Sequence, residues 1–112
     1  MAIDWDLIEE MYNPPSEEKR NRRRRDLLAR ARTIQCDGWD DYQYVWSTGE
    51  TVGVALVLND DTVLSEMGES RRDVLSRYAY DLFGVKGGKA DEAEDFARTQ
   101  VWFADARADL AS

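Results

Sequence analysis

The chain has no histidine, one cysteine and two prolines among its 112 residues. Histidine is the usual general base near neutral pH and the commonest ligand of transition metals, so its absence removes the simplest catalytic and metal-binding arrangements. A single cysteine, Cys36, excludes an intrachain disulfide bond and nearly excludes a zinc site. We therefore predict no metal site, no cofactor and no enzymatic activity.

Long apolar runs are also lacking. A membrane-spanning helix needs about 18 or more consecutive apolar residues, and no such run is present. The first ten residues carry acids where a secretory signal needs positive charge. Apolar residues nevertheless make up 43 % of the chain, which is enough for one hydrophobic core at this length. The sequence predicts a single cytoplasmic domain over residues 1–112, with no indication of its oligomeric state.

Charge is present in abundance but is distributed unevenly. Residues 17–32 hold eight of the fifteen basic residues and three acids, so this segment carries +5. Because the whole chain carries −8, the remaining residues together carry −13. Such segregation produces strong local fields and indicates a charged partner, either within the fold or outside it.

The first 35 residues predict a helical hairpin. Residues 3–12 have apolar side chains at helical spacing, and the Asn13-Pro14-Pro15 corner ends that helix. Ser16 is a good N-cap for a second helix over residues 17–34, which has acids in its first turn. A turn at Asp37-Gly38 closes the segment.

The middle of the chain predicts a three-stranded antiparallel meander over residues 39–66. Residues 42–47 alternate an aromatic set with smaller residues, and Thr48-Gly49 is typical of a hairpin turn. Residues 51–58 are the most apolar stretch and predict the central strand. Residues 62–65 predict a short third strand after an Asn-Asp-Asp turn.

Residues 70–110 predict a pair of helices. Ser70 and Asp73 have the spacing of a capping box, and Gly84 is typical of a helix C-terminus. Asp91 is the predicted N-cap of the last helix. The complete prediction is an α+β fold of order α-α-β-β-β-α-α, with the helices packed mainly on one face of the sheet.

The arginine-rich helix has more than one interpretation. A helix that is cationic all round suits a groove lined with phosphates, and Arg22, Arg23 and Arg25 are the candidate nucleic-acid contacts. Alternatively, the acidic first helix lies against it, with Arg20 and Arg24 directed toward those acids. An acidic protein is a third candidate partner. The −13 of the remaining residues opposes unaided binding to a phosphate backbone.

Acids in the predicted turns form a second candidate surface. Asp40, Asp41, Asp60 and Asp61 lead this set and are candidate contacts of a partner. Such acids can imitate the phosphates of DNA, or they can simply form a solvated surface. Solvated turns also lack the pocket in which a pair of carboxylates carries out acid–base catalysis.

Aromatic residues form the third candidate surface. Phe96, Phe103 and Leu110 recur every seven residues and predict the buried stripe of the last helix. Trp102 lies at the edge of that stripe, among charged residues, so it is predicted either to bind a partner as an exposed anchor or to fold over a neighbouring helix or the open sheet edge. Tyr80 similarly points away from the stripe of its own helix. The open sheet face, which carries either Tyr42, Tyr44 and Trp46 or the opposite set, is a further candidate.

Two stretches, YVWSTGETVGVALVLNDD and DVLSRYAYDLFGVKGGKADEAEDFARTQVWFADARADL, resemble small acidic proteins of actinobacterial phages. The resemblance covers residues 44–110 and includes no motif with an assigned chemical role. It implies a protein that binds and redirects a host protein, which can belong to a host defence complex. The favoured hypothesis is therefore a non-enzymatic accessory protein that binds a host protein in the cytoplasm. The alternative is a nucleic-acid-binding regulator that uses the arginine-rich helix.

Overall fold

The computed structural model describes residues 15–112, and this part of the chain is helical. The helices are α1 (Glu17–Asp37), α2 (Thr48–Val57), α3 (Asp61–Glu66), α4 (Arg71–Ala93) and α5 (Ala97–Ala111). Because residues 15–112 contain no strand, the predicted α+β fold with its three-stranded meander is wrong. The predicted helix over residues 3–12 lies outside the described residues, so only the second helix of the predicted hairpin over residues 1–35 can be compared with the structure.

Helix α1 forms where the sequence predicts it. The Ser16 hydroxyl accepts a hydrogen bond from the Lys19 amide at 3.2 Å, which satisfies one of the free N–H groups of the first turn. Gly38 follows the helix with φ 81° and its N–H bonds to the Ile34 carbonyl. The predicted apolar stripe is buried and consists of Leu27, Leu28, Ala31 and Ile34.

The predicted central strand is instead the buried helix α2. Ser47 and Glu50 form a capping box, in which each side chain bonds to the backbone N–H of the other residue. Every residue from 51 to 57 is buried. A helix that is apolar on all sides shows no alternation between apolar and polar residues, so its pattern is the same as that of a buried strand.

The two neighbouring predicted strands are absent for related reasons. Residues 42–47 form turns whose N–H groups bond to carbonyls three or four residues earlier, as in Gln43 to Trp39 at 2.9 Å. Residues 62–65 belong to α3, because the Asp60 carboxylate caps that helix at the Val63 amide, 3.1 Å away. An N-capping acid in the Asn-Asp-Asp sequence therefore starts a helix where a strand was predicted.

Helix α2 is the centre of the fold, since each of the other four helices contacts it. At its contact with α4, Tyr78 is buried and donates its hydroxyl proton to the Gly49 carbonyl at 2.9 Å. A Cβ atom at Gly53 would lie 1.9 Å from the Tyr78 hydroxyl oxygen. Glycine at position 53 therefore allows the tyrosine ring to pack directly on the α2 backbone.

Helix α4 has a kink at Gly84 instead of the predicted end. Gly84 has φ 76°, a left-handed value that glycine adopts without a steric penalty, and helical structure resumes beyond it to Ala93. Ser70 and Asp73 form the predicted capping box at the start of this helix. Phe96 precedes α5 in a left-handed conformation and provides no side-chain cap.

The N-terminal amides of α5 are capped by Asp91 from within α4. Its buried carboxylate accepts hydrogen bonds from the amides of Arg98, at 2.8 Å, and Thr99, at 3.1 Å, and from the Thr99 hydroxyl. Asp91 therefore does cap α5, but the helix begins at Ala97, five residues later than an N-cap at Asp91 predicts. This carboxylate joins the end of α4 to the start of α5.

Candidate partner-binding surface

The connection between α1 and α2 is a loop rich in aromatic residues, residues 38–47, which we call the aromatic loop. It begins where Gly38 ends α1 and finishes at Ser47, the N-cap of α2. Its backbone makes two successive helical turns, closed by hydrogen bonds from Gln43 to Trp39 and from Trp46 to Tyr42. The two flanking caps thus fix both ends of the loop.

One side of the aromatic loop is bound to the helices beneath it. The Trp39 indole N–H donates to Asp60 Oδ2 at 3.0 Å, and the Thr51 hydroxyl donates to the Gln43 carbonyl at 3.1 Å. The Gln43 side-chain amide donates to Glu66 Oε2 at 2.8 Å. These bonds connect the loop to α2, to α3 and to the residue that caps α3.

The aromatic rings of the loop pack on one another over the core. Trp46 lies between Trp39 and Tyr42, with ring centroids 6.3 and 5.3 Å apart, and all three rings are partly buried against the core. The Arg30 guanidinium covers the Trp46 ring with its central carbon 5.0 Å from the centroid. The Tyr42 hydroxyl donates to Asp37, and this hydrogen bond raises the pKa of Tyr42.

The opposite side of the aromatic loop presents apolar area to solvent. Tyr44 is 76 % exposed and Val45 is 77 % exposed, although both follow a segment that is firmly bonded to the fold. The Gln43 amide nitrogen lies 3.3 Å from the Tyr44 hydroxyl oxygen and 2.8 Å from Glu66 Oε2, so the tyrosine hydroxyl and the Glu66 carboxylate are neighbours. The loop therefore exposes an apolar pair beside a carboxylate.

Two of the four predicted acidic contacts belong to this surface, and two do not. Asp40 and Asp41 are exposed in the aromatic loop. Asp60 is partly buried, because it caps α3 and accepts the Trp39 indole N–H. Asp61 accepts from Arg71 Nε at 2.7 Å, which links α3 to the first turn of α4. Asp60 and Asp61 therefore have structural partners.

Trp102 is buried, so the prediction of an exposed anchor at this position is wrong. Its side chain is 9 % exposed and its ring packs against Tyr78 and Phe103, with centroids 5.8 and 5.1 Å away. The predicted alternative, in which the ring folds over a neighbouring helix, agrees with this position. Helix α5 contacts α1, α2 and α4, so it buries a wider arc than the single Phe96/Phe103 stripe.

Tyr80 also has a partner within the fold. Its hydroxyl donates to Glu92 Oε2 at 3.0 Å, which raises the pKa of Tyr80. A Cβ atom added at Gly88 would lie 2.6 Å from its ring, so the ring rests on the second part of α4. This tyrosine is partly buried across the Gly84 kink and offers little free area to a partner.

The arginine-rich helix α1 is neutralised in part by α2, α4 and α5. Arg23 lies 3.6 Å from Asp81 and stacks on the Tyr78 ring, and Arg24 pairs with Asp109. Arg30 pairs with Glu50 at 2.6 Å and with Asp26 at 3.0 Å. The internal acidic partners found here thus differ from the predicted ones of the first helix, which lie outside the described residues.

The three predicted nucleic-acid contacts do not share one surface. Arg23 is turned toward α4, whereas Arg22 and Arg25 are exposed. Arg32 is exposed on the same side, three turns further along α1 than Arg22. Arg22 is 3.3 Å from Glu18, an exposed pair one turn away. We call Arg22, Arg25 and Arg32 the arginine stripe.

Sequence reasoning placed Tyr44 and Val45 on opposite faces of a predicted sheet, and it did not bring Glu66 beside them. Tyr42 and Trp46 belong to the covered side, because the segment forms turns and is not extended. The Ser47-Thr48-Gly49-Glu50 capping box was the available signal. This capping box predicts a helix that begins after Ser47 and a loop for the aromatic segment that precedes it.

Comparisons with protein-family models, curated proteins and solved structures found no match to this chain. Within residues 15–112, no group of three or more histidine, cysteine, aspartate or glutamate side chains is placed to hold a metal ion. No helix in the described part of the chain has both the length and the apolar character to cross a membrane.

Proposed function

We propose that this protein is a non-enzymatic binding module of the phage accessory type, which acts in the cytoplasm of a host cell by binding a host protein. The aromatic loop is its contact surface. The observation that supports this most directly is the exposure of Tyr44 and Val45 on a loop whose other side is fixed to the fold.

Tyr44 and Val45 are held on an ordered loop, and this order favours binding. A flexible loop loses conformational freedom when it docks, and each immobilised side chain costs about 0.5–1.5 kcal/mol. The aromatic loop is already ordered by its bonds to Asp60, Thr51 and Glu66. Tyrosine is also among the residues that most often dominate the energy of protein interfaces. Asp40 and Asp41 would then supply charge at the rim of the contact.

Affinity purification with matched variants tests the proposal. Tagged wild type, a Tyr44→Ala/Val45→Ala double variant and a Val101→Ala control are expressed in the native host cell, and captured proteins are quantified by mass spectrometry. Val101 is 58 % exposed on α5, so the control removes apolar area from another surface. We expect a captured host protein to decrease at least tenfold with the double variant only. Equal capture by all three proteins would contradict the proposal.

A second candidate function is nucleic-acid binding through the arginine stripe. The observation that favours it is the exposure of Arg22, Arg25 and Arg32 along one side of α1. Arginine side chains repeated along a helix suit the phosphates of an RNA groove. The strong negative charge of the other residues opposes this function, so it ranks below protein binding.

Salt dependence tests this second candidate. If all three arginines contact phosphates, the logarithm of the binding constant falls with the logarithm of salt concentration at a slope of roughly −2 to −3. Replacing Arg22, Arg25 and Arg32 with alanine should flatten the slope by a similar amount. Absence of binding to mixed RNA at about 50 mM salt, where electrostatic attraction is strong, would rule out this function.

A further inference from the structure

One arrangement recurs inside this protein: an arginine stacked on an aromatic ring and paired with a carboxylate. Arg23 lies over Tyr78 and pairs with Asp81, and Arg72 lies over Phe96 and pairs with Asp95. A third example joins Arg30 with the Trp46 ring and the Glu50 carboxylate. The distances from guanidinium carbon to ring centroid are 4.9, 4.9 and 5.0 Å. Each arginine thus contacts an aromatic ring and a carboxylate with the same guanidinium group.

The exposed side of the aromatic loop contains the ring and the carboxylate of this arrangement but not the arginine. Tyr44 supplies an exposed ring, and the Glu66 carboxylate lies beside its hydroxyl, since both contact the same Gln43 nitrogen. All arginines and lysines of the chain lie within the described residues 15–112, and in this part no arginine is stacked on Tyr44. Within the described residues, the Tyr44 ring and the Glu66 carboxylate are therefore not engaged by an arginine of this chain.

We propose that the aromatic loop is a receptor for an arginine side chain of the partner protein. The guanidinium stacks on the Tyr44 ring, its N–H groups donate to the Glu66 carboxylate, and its methylene groups contact Val45. Asp40 is an exposed acid of the same loop, so its carboxylate adds general attraction for the cation. This inference rests on the proposed function, because it names the chemistry that the same surface recognises.

Arginine fits this surface better than lysine for a geometric reason. The guanidinium is planar, so it stacks on a ring while donating hydrogen bonds in its own plane. A lysine ammonium is a compact, strongly hydrated charge that cannot make both contacts in this way. Attraction by net charge alone would treat the two residues equally, whereas the ring and Glu66 together select arginine.

A peptide titration tests the inference. The probes are tetra-arginine amide and tetra-lysine amide, which carry equal charge, and the protein is the full chain labelled with ¹⁵N for NMR. We expect tetra-arginine to bind at least threefold more tightly than tetra-lysine, with chemical-shift changes concentrated in the aromatic loop and at Glu66. The Tyr44→Leu variant, which keeps apolar area but has no ring, should bind the two peptides equally.

Two further variants separate stacking from general attraction. Tyr44→Phe keeps the ring and should retain the preference for arginine, whereas Glu66→Gln should weaken tetra-arginine binding at least twofold. Val101→Ala serves as the control and should bind like wild type. Equal affinity of wild type for both peptides, no binding of either, or an unchanged preference in Tyr44→Leu would each overturn the inference.

These outcomes are distinguishable from failure of the proposed function. A host protein that is captured only with an intact aromatic loop, together with equal peptide affinities, would leave the binding function standing and remove the arginine receptor. Capture that is independent of Tyr44 and Val45 would instead remove the proposed function, whatever the peptides show.

Discussion

Two aromatic clusters in this protein are built in the same way but differ in what surrounds them. The core cluster, Tyr78, Trp102 and Phe103, has ring centroids 5.0–5.8 Å apart. The loop cluster, Trp39, Tyr42 and Trp46, has centroids 5.3 and 6.3 Å apart. Each has an arginine over one ring. Helices cover the core cluster, whereas the loop cluster is covered on one side only.

The comparison shows that residue type does not distinguish a structural aromatic side chain from one that binds a partner. Trp102 has charged residues one helical turn away on either side, at Arg98 and Asp105, and is nevertheless buried, because α5 packs against three other helices. Tyr44 lies in an equally aromatic segment and is exposed, because only the inner side of that segment faces the core. The number of helices packed around an aromatic side chain decides whether it is buried or exposed. Substitutions in the core cluster should therefore cost more stability than substitutions on the exposed side of the aromatic loop.

The largest effect is expected in the core cluster. Trp102→Ala and Phe103→Ala should each lower the free energy of unfolding by about 3–5 kcal/mol, because each leaves a cavity where a large buried ring was. Urea denaturation of both variants measures the loss. Val101→Ala, an exposed neighbour on the same helix, is the control and should change stability by less than about 0.5 kcal/mol. A small effect of Trp102→Ala would show that its ring is not packed.

A smaller effect is expected where the core cluster meets α2. Gly53→Ala places a methyl group 1.9 Å from the Tyr78 hydroxyl oxygen, and relief of this overlap should cost about 3 kcal/mol, at the upper end for overpacking. Gly49→Ala is the matched control, since its added methyl group would meet Arg77 at 3.6 Å, an ordinary contact distance. Thermal denaturation compares them, and equal melting temperatures would contradict the close packing of Tyr78 on α2.

The buried hydroxyl of the core cluster should make stability fall at alkaline pH. Burial raises the pKa of Tyr78 to about 12 from an ordinary value of 10.0. Between these values the unfolded chain releases the proton more readily than the folded protein, so folding stability is complete below pH 10 and falls as the pH approaches 12. A shift of two pKa units corresponds to a loss of up to about 2.7 kcal/mol.

Replacing Tyr78 with phenylalanine isolates this effect. Tyr78→Phe should be less stable than wild type by about 1 kcal/mol below pH 10, because the hydrogen bond to the Gly49 carbonyl is lost. Its stability should then fall less steeply between pH 10 and 12. Tyr44→Phe, with an exposed ring, should follow wild type throughout. If the stability of Tyr78→Phe and of wild type fell equally between pH 10 and 12, the hydroxyl of Tyr78 would not be buried and protonated as described.

The smallest effect on stability is expected at the exposed side of the aromatic loop. Tyr44→Ala and Val45→Ala should each change the free energy of unfolding by less than about 0.5 kcal/mol, as surface substitutions usually do. Urea denaturation again provides the measurement. A loss above about 1 kcal/mol would mean that these side chains contribute to folding, and it would weaken the argument that they are exposed for a partner.

The parts of the fold that were predicted correctly are those with a local signal. Helix α1 has Ser16 as its N-cap and an apolar stripe with the helical period, and α4 has the Ser70/Asp73 capping box. Helix α2 has the equivalent box at Ser47 and Glu50, but its valine-rich, uniformly apolar sequence favours a strand by composition. Tertiary burial on every side overrides that preference.

The candidate site was predictable only in part. Asp40, Asp41 and Tyr44 were identified from the concentration of acids and aromatic residues. Their grouping with Glu66 depends on the packing of α3 beside the aromatic loop, which no local pattern reports. The burial of Trp102 has the same origin, since the width of the buried face of α5 is set by how many helices surround it.

The buried Asp91 carboxylate has a consequence for hydrogen–deuterium exchange. Amides in the first turn of a helix usually exchange quickly, because they have no acceptor within the helix. In α5 the amides of Arg98 and Thr99 bond to Asp91 and are shielded with it. Their protons should be released only when the corner between α4 and α5 opens, so these two amides serve as natural reporters of how often the two helices separate.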